Sequence, residues 1–188
     1  MRPFLSSLAF VAFFGLIGLS APQNALASGP CDAAALPPQI GSELKSRFAG
    51  WRPKQLSDLD ADNQRVWLES PNGKACPGIA IGHFDSAKQT SYAVLLVPES
   101  RPTHGYKLVV LSKASNEKSY VSTLLEKADE ETYSGLVIMK VKPGAFSDLE
   151  TSQEIQTKLD GVVVEWLEKG AVLYYWSRGR YRRISISD

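Results

Sequence analysis

The sequence predicts an α+β domain in which N-terminal helices pack on a mainly antiparallel sheet of about seven or eight strands, with a meander at the C-terminus. Two observations lead to this class. Apolar residues recur with helical spacing before Cys76, and after it they form short runs separated by turn residues. Strands and helices do not alternate along the chain, so a doubly wound nucleotide-binding fold is not expected.

The N-terminus has the features of a secretory signal peptide. A positively charged start precedes the apolar run FLSSLAFVAFFGLIGLS, and Ala25 and Ala27 supply the small residues that a signal peptidase requires. We therefore expect cleavage before Ser28 and a periplasmic or secreted protein. No membrane anchor is expected, because Cys31 follows Pro30 rather than a small residue at the cleavage site.

The remaining chain, 28–188, has the length of a single α+β domain. Arg2 is the only charged residue in 1–27. Of the 21 Lys and Arg residues, 20 therefore remain in 28–188, together with all 20 Asp and Glu residues. This zero net charge argues against a nucleic-acid partner or binding to an anionic membrane.

Cys31 and Cys76 are the only cysteines in the chain. An even number of cysteines in an exported protein predicts a disulfide, here one that ties the N-terminal helix to the first strand. A catalytic role for Cys76 is the alternative, but neither His83 nor His104 lies in a recognisable partner motif.

The first predicted helix carries an apolar residue at every fourth position. Pro37 and Pro38 suit its first turn, and Gly50 suits its end. We expect this apolar stripe to face the core. Its members are Leu36, Ile40, Leu44 and Phe48.

Eight apolar runs predict the strands. The short gaps EKG and SRG, which end at Gly170 and Gly179, are of hairpin length, so the last three strands should form an antiparallel meander. The runs are GIAIGHF, YAVLLVP, YKLVVLS, YVSTLLE, GLVIMKV, GVVVEWL, AVLYYWS and YRRISIS.

The stretch DLDADNQRVWLE places Asp58, Asp60, Asp62 and Glu69 at the first, third, fifth and twelfth positions of an EF-hand calcium loop. The flanking residues do not form the helices that such a loop needs, and Arg65 occupies a position that is normally apolar. We therefore favour a short helix that begins at an aspartate cap and turns Val66 and Trp67 inward, and we expect no cofactor. Calcium remains the alternative.

The stretch CPGIAIGHFDSAKQTSYAVLLVP, from Cys76 to Pro98, resembles one degenerate FG-GAP unit, the repeat also called VCBS. In that family a strand ends in Gly-x-Phe-Asp, a calcium loop follows, and a second strand closes the unit. Only Asp85 of the family's calcium ligands is present here. A single unit does not build a propeller, which needs several blades.

Several segments together resemble a set of uncharacterised exported bacterial proteins of similar layout. These segments are GWRPKQLSDLDADNQRVW, CPGIAIGHF, YAVLLV, LDGVVVEWLEKGAVLYYW and the final SD. The resemblance spans most of the chain after the signal peptide. It implies a compact periplasmic or secreted domain, and it implies no activity and no catalytic residue.

The C-terminal stretch YYWSRGRYRR is rich in the residue types that anchor protein interfaces. On alternating strands Tyr174 and Trp176 share one face and Tyr175 the other, so one set is also expected to fill the core. The predicted binding residues are Tyr175, Trp176, Arg178, Arg180 and Tyr181.

Two classes of function follow from these observations. The first is a non-enzymatic interaction protein with a protein partner, such as an inhibitor or an immunity-type protein. The second is a small hydrolase or ligand-binding enzyme that uses the acidic residues or His83 in a cleft, with a calcium-binding module as a further alternative. No nucleophile elbow, zinc-binding histidine pair or phosphate loop supports an enzyme, so we expect the first class.

Overall fold

The structure is a computed structural model that describes Cys31 and residues 36–114, 119–131 and 134–187. The expected signal peptide, residues 1–27, and its cleavage site lie outside the described residues. No helix in the described part of the chain has the length and apolar character needed to cross a membrane.

The described residues form two helices and eleven strands. Helix α1 is Pro38–Arg47, helix α2 is Ala61–Glu69, and a 3₁₀ turn at Leu56–Asp58 lies between them. The strands are β1 Trp51–Pro53, β2 Ile79–Gly82, β3 Ser91–Pro98, β4 His104–Lys113, β5 Tyr120–Glu131, β6 Leu136–Val141, β7 Ala145–Asp148, β8 Gln153–Gln156, β9 Gly161–Trp166, β10 Gly170–Ser177 and β11 Arg180–Ser187.

Each of the eight apolar runs forms a strand, namely β2 to β6 and β9 to β11. Three short strands were not predicted. Strand β1 has only three residues and ends in Pro53, while β7 and β8 are four-residue segments with mostly polar sequences, AFSD and QEIQ. Such segments lack the apolar alternation by which a strand is recognised in sequence.

The first sheet has the order β1, β3, β4, β5, and β2 pairs with the same edge of β3 as β1. β2 pairs with the first half of β3 and β1 with the second half, and the pairing changes from one short strand to the other at Leu95. At this changeover the Leu95 carbonyl accepts from the Lys54 N–H at 2.8 Å, and the Leu95 N–H donates to the Gly78 carbonyl at 2.9 Å. A Cβ atom at Gly78 would lie 2.3 Å from the Lys54 carbonyl oxygen. The changeover therefore requires glycine at this position.

The second sheet has the order β11, β10, β9, β6, and all its pairs are antiparallel. The predicted meander of β9, β10 and β11 is therefore confirmed. Strands β7 and β8 form a separate hairpin.

The expectation of a single sheet of about seven or eight strands is wrong, because the eight predicted strands divide between two sheets. These sheets pack face to face over a common core in which Phe84, Leu95 and Leu108 meet Ile138 and Val164. The division has a physical reason: most strands are apolar on both faces, and a strand of that kind must be covered on both sides. The class is mostly β, and α+β describes it only coarsely.

The outer face of the first sheet is covered by α1. Ile40 and Leu44 of the predicted stripe are buried against Val94 and Leu111, and the other two members of the stripe are partly buried beside them. The predicted orientation of this helix is confirmed. Pro38 occupies the first turn, and Gly50 beyond the helix has a φ of 79°.

The outer face of the second sheet has two covers. Trp67 of α2 packs on Val137 and Leu167, and Phe146 of the β7–β8 hairpin packs near Leu173. The two helices thus lie on different sheets at opposite sides of the molecule. The expectation that both pack on one sheet is wrong, because each sheet has an apolar outer face of its own.

Cys31 and Cys76 form the predicted disulfide, with sulfur atoms 2.07 Å apart and Cα atoms 4.7 Å apart. Both cysteines are buried with Ile79, the first residue of β2. The two sulfur atoms lie 3.7 and 3.6 Å from the Lys54 carbonyl oxygen. The bond therefore joins the chain before α1 to β2, at the place where β1 and β2 change over.

Replacing both cysteines with serine should lower the free energy of unfolding by about 3–4 kcal/mol, the value for closing a loop of this length in the unfolded chain. The separation of the two cysteines is 45 residues. Urea unfolding of the double variant and of the oxidised protein measures this difference. Free reaction of both thiols with an alkylating agent in the native, unreduced protein would contradict the assignment.

Candidate binding site

The turn between β10 and β11 presents two arginines. Ser177 pairs with Arg180 across a two-residue turn, and both turn residues have a positive φ, 52° at Arg178 and 77° at Gly179. This is the type I′ geometry that matches the twist of the flanking strands. Arg178, Gly179 and Arg180 are exposed.

The aromatic residues beside this turn form a packed pair. The rings of Trp176 and Tyr181 lie 4.9 Å apart at 74°, an edge-to-face arrangement. The Tyr181 hydroxyl is buried near Ser112, and burial is the main reason that its pKa is raised, with the charge of Asp85 adding to the effect and Ser112 opposing it. Tyr181, one of the predicted binding residues, is partly buried, and its ring supports Trp176 from inside the sandwich.

The remaining predicted binding residue, Tyr175, is partly buried on the outer face of the second sheet, near Ile184. Tyr174 is buried in the core between the sheets, and Trp176 packs on the same side. The predicted division of these three aromatic residues between two faces is confirmed.

A cavity of 470 Å³ adjoins the turn on one side. Ligand pockets in proteins measure roughly 300–1,000 Å³. Lys158 and Arg178 contribute positive charge to it, and Trp176 forms part of its apolar wall. None of its lining residues is acidic. They are Gln156, Lys158, Leu159, Trp176, Ser177 and Arg178.

A second cavity opens on the other side of the aromatic pair, between the edge strands β5 and β11. Its volume is 340 Å³. Its lining residues are Thr123, Leu124, Leu125, Tyr174, Tyr181, Arg182 and Arg183. We call it the edge cleft. At the opposite side of the sandwich the sheets are joined directly, because the Ile138 N–H donates to the Pro77 carbonyl at 2.8 Å.

Tyr174, which lines the edge cleft, donates to Glu126, a carboxylate whose two oxygens both accept hydrogen bonds. Glu126 accepts a hydrogen bond from the Tyr106 hydroxyl at 2.7 Å and another from the Tyr174 hydroxyl, and so it connects the two sheets. Burial raises the pKa of both tyrosines, and the hydrogen bonds to Glu126 raise it further. Both hydroxyls therefore stay protonated at neutral pH and act as donors that hold Glu126 in place.

Asp85, the aspartate of the FG-GAP-like stretch, faces inward. It accepts a hydrogen bond from Ser91 at 2.6 Å and another from Ser112. The histidine nearest in sequence does not join this group, because the His83 Nδ1 atom lies 3.0 Å from the Gln89 carbonyl oxygen. Asp85 thus links β3 and β4 through their hydroxyl groups.

The acidic stretch forms a capped helix. Asp60 accepts hydrogen bonds from the Asn63 N–H at 2.9 Å, from the Asn63 side chain and from Ser134. Asp60 is thus the N-cap of α2, and Trp67 of this helix is buried, as the preferred interpretation predicted. The backbone and hydroxyl donors lower the pKa of Asp60.

The other three acidic residues of the EF-hand pattern do not converge with Asp60. Asp58 forms a two-pronged ion pair with Arg52, at 2.6 and 2.7 Å, while Asp62 and Glu69 are exposed around Arg65. In the described part of the chain, no three His, Cys, Asp or Glu side chains are grouped so that they could hold a metal ion.

Sequence reasoning missed Lys54, which follows β1 and is only 3% exposed. Its ammonium group donates to the Ser134 carbonyl at 2.6 Å. Burial lowers its pKa from 10.5 to about 8, although the charges of Asp58 and Asp60 oppose this shift. No sequence pattern identifies such a lysine, because its burial results from the changeover of β1 and β2.

No family model matches the chain, and no curated protein or solved structure shows significant similarity to it. The function of the protein must therefore be inferred from the geometry of these surfaces.

Lys54 should make the free energy of unfolding depend on pH. The unfolded chain binds a proton up to pH 10.5 and the folded chain only up to about pH 8, so stability rises with pH between these values. We expect a gain of about 2 kcal/mol between pH 8 and pH 10 from this residue. Urea unfolding should show that Lys54→Met removes the gain, whereas Lys158→Met, at an exposed position, keeps it. If the free energy of unfolding rose equally with pH in the wild type, Lys54→Met and Lys158→Met, the assignment would be contradicted.

Calcium should have no strong effect on thermal stability. A ligand that binds only the folded state at a hundred times its Kd adds about 2.7 kcal/mol, which a melting curve detects easily. Asp60→Ala should lower the Tm because the cap of α2 is lost, by the same amount with and without millimolar calcium, and Asp62→Ala should leave it unchanged. A calcium-dependent rise in Tm that Asp60→Ala abolishes would support the EF-hand alternative instead.

Proposed function

We propose that the protein is a non-enzymatic interaction protein of the periplasm or the cell exterior, which binds an acidic surface of a protein partner. The observation that carries this proposal is the rigid turn that presents Arg178 and Arg180 beside the packed Trp176 ring. An inhibitor or an immunity-type protein is the kind of molecule that works in this way.

The geometry of the turn favours recognition. Both turn residues are fixed in the left-handed region, so the backbone of the turn loses little conformational entropy when a partner binds. Guanidinium groups pair with carboxylates through two parallel hydrogen bonds. Trp176 adds an apolar surface of the kind found at the centre of protein interfaces.

The local charge favours an acidic partner. Lys158 and Arg178 line the cavity next to the turn, and Arg182 and Arg183 line the edge cleft behind it. Although the whole chain is nearly neutral, with a net charge of +1, this end of the sandwich concentrates arginine and lysine. A patch of one sign steers a partner of opposite sign toward it.

The polar groups described above support binding rather than catalysis. Glu126 and Asp85 are each held by two hydroxyl donors, and Asp58 is paired with Arg52. These carboxylates have structural partners in the fold. The disulfide supports the proposed location, because such bonds persist in oxidising compartments.

The test compares the affinity of the wild type and of a double variant for the partner. Arg178→Asn combined with Arg180→Gln removes both charges and keeps the turn, because asparagine tolerates a positive φ. Circular dichroism and Tm should be nearly unchanged, and affinity for the partner recovered from an envelope extract should fall at least about 30-fold if both arginines are hot spots.

The matched control is Asp62→Asn combined with Glu69→Gln, which also removes two exposed charges, from α2. Asp58 is unsuitable as a control because its carboxylate pairs with Arg52. Equal affinity of the arginine variant and the wild type, with a loss in the acidic variant, would refute the proposal and move the site to α2.

A further inference from the structure

Strand β5 ends the first sheet, and no strand of the described residues pairs with its outer edge. The Ala114 N–H donates to the Ser119 carbonyl at 2.8 Å, so these two residues form a hydrogen-bonded pair. In an antiparallel ladder such pairs alternate with pairs that share no hydrogen bond. The register from Lys113↔Tyr120 to Val110↔Thr123 is unbroken, so the alternation continues along it. Val121 and Thr123 therefore bond to β4. The backbone groups of Tyr120, Ser122 and Leu124 point away from the sheet.

The protective features of this edge lie in its second half, where the pairing with β4 has a bulge after Leu124 and the sequence EKADEE is charged. Its first six residues, YVSTLL, contain neither a charge nor a proline. Val121 and Leu124 are 51% and 47% exposed, although both are large and apolar. An edge of this kind is a template for a further strand.

The edge cleft lies directly beside this edge, since Thr123, Leu124 and Leu125 form one of its walls. A strand added to β5 directs alternate side chains inward, toward the cleft. There they meet Tyr174, Arg182 and Arg183. Arg183 forms an ion pair with Glu150 at 3.7 Å, and both side chains of that pair are about half exposed. Inward acidic side chains would therefore find guanidinium groups within reach.

We propose that an extended, acidic peptide segment of the partner protein adds to β5 as an antiparallel strand, bonding to the backbone of Tyr120, Ser122 and Leu124 and placing its inward carboxylates on Arg182 and Arg183. This inference rests on the proposed function and names the form in which the partner binds. Backbone bonds supply affinity in such strand addition, and the side-chain pockets supply selectivity.

The charges argue against a second copy of this chain as the occupant. If two β5 edges paired through their uncharged segments YVSTLL, the acidic residues of EKADEE would lie beyond the ends of that pairing, so no carboxylate would face the arginines of the edge cleft. An acidic segment satisfies both the open edge and these two positive charges. It also continues the surface around Arg178 and Arg180, because Tyr181 lines the cleft and its ring packs on Trp176.

The experiment uses a synthetic ten-residue peptide in which glutamate alternates with valine, at millimolar concentration, with amide hydrogen exchange read by NMR. Exchange at Ser122 and Leu124 should slow at least about fivefold, while exchange at Ile81, on the opposite side of the sandwich, should not change. Two control peptides isolate the two parts of the proposal. One is N-methylated at alternate residues to remove backbone donors, and the other has lysine in place of glutamate.

Both control peptides should bind at least tenfold more weakly than the acidic peptide, and so should the acidic peptide to Arg182→Gln combined with Arg183→Gln. Leu124→Pro removes an outward N–H and should give the same loss. The arginine variant keeps the test valid if the proline variant does not fold. Equal binding of the N-methylated peptide, or unchanged exchange at Ser122 and Leu124, would overturn the inference.

Two further outcomes separate this inference from the proposed function. A partner whose binding depends on Arg178 and Arg180 but is not displaced by the acidic peptide would overturn strand addition and leave the proposed function standing. Slow exchange at Ser122 without peptide, together with a dimer in sedimentation analysis, would assign the β5 edge to a second copy and overturn the inference as well. Peptide displacement of the partner would support both.

Discussion

The structure depends on one requirement, that two sheets with apolar residues on both faces must each be covered twice. The sheets cover one another in the middle of the molecule, where Phe84 and Leu95 meet Ile138. Helix α1 covers the first sheet from outside, and α2 with the β7–β8 hairpin covers the second. A helix or hairpin is therefore needed on each side, and this explains why the short polar strands β7 and β8 belong to the fold.

Most elements were predictable because their signals are local. The stripe through Ile40 and Leu44 and the turn at Gly179 each lie within a few residues of sequence, and the structure contains both. The division into two sheets was not predictable. A run such as YAVLLVP shows that a strand is buried on both faces, but it does not say whether a helix or another sheet covers each face. That choice depends on contacts between residues far apart in the chain.

The same distinction applies to the candidate site. The arginines of the turn were predictable because a two-residue hairpin exposes its centre wherever it occurs. The edge cleft was not, because it exists only where β5 and β11, from different sheets, lie next to each other. The burial of the Tyr181 hydroxyl was not predictable for the same reason, because this hydroxyl lies near Ser112, which belongs to the other sheet.

The disulfide also has a mechanical consequence. It connects Cys31 to Cys76, and between these residues lie α1, β1 and α2. When the two ends of the chain are pulled apart, tension passes from Cys31 through the sulfur atoms to Cys76 and on to β2. The 45-residue span that the bond closes carries none of this load. Under force, α1 and α2 are stretched only after the bond is reduced, so the redox state determines how far the chain extends.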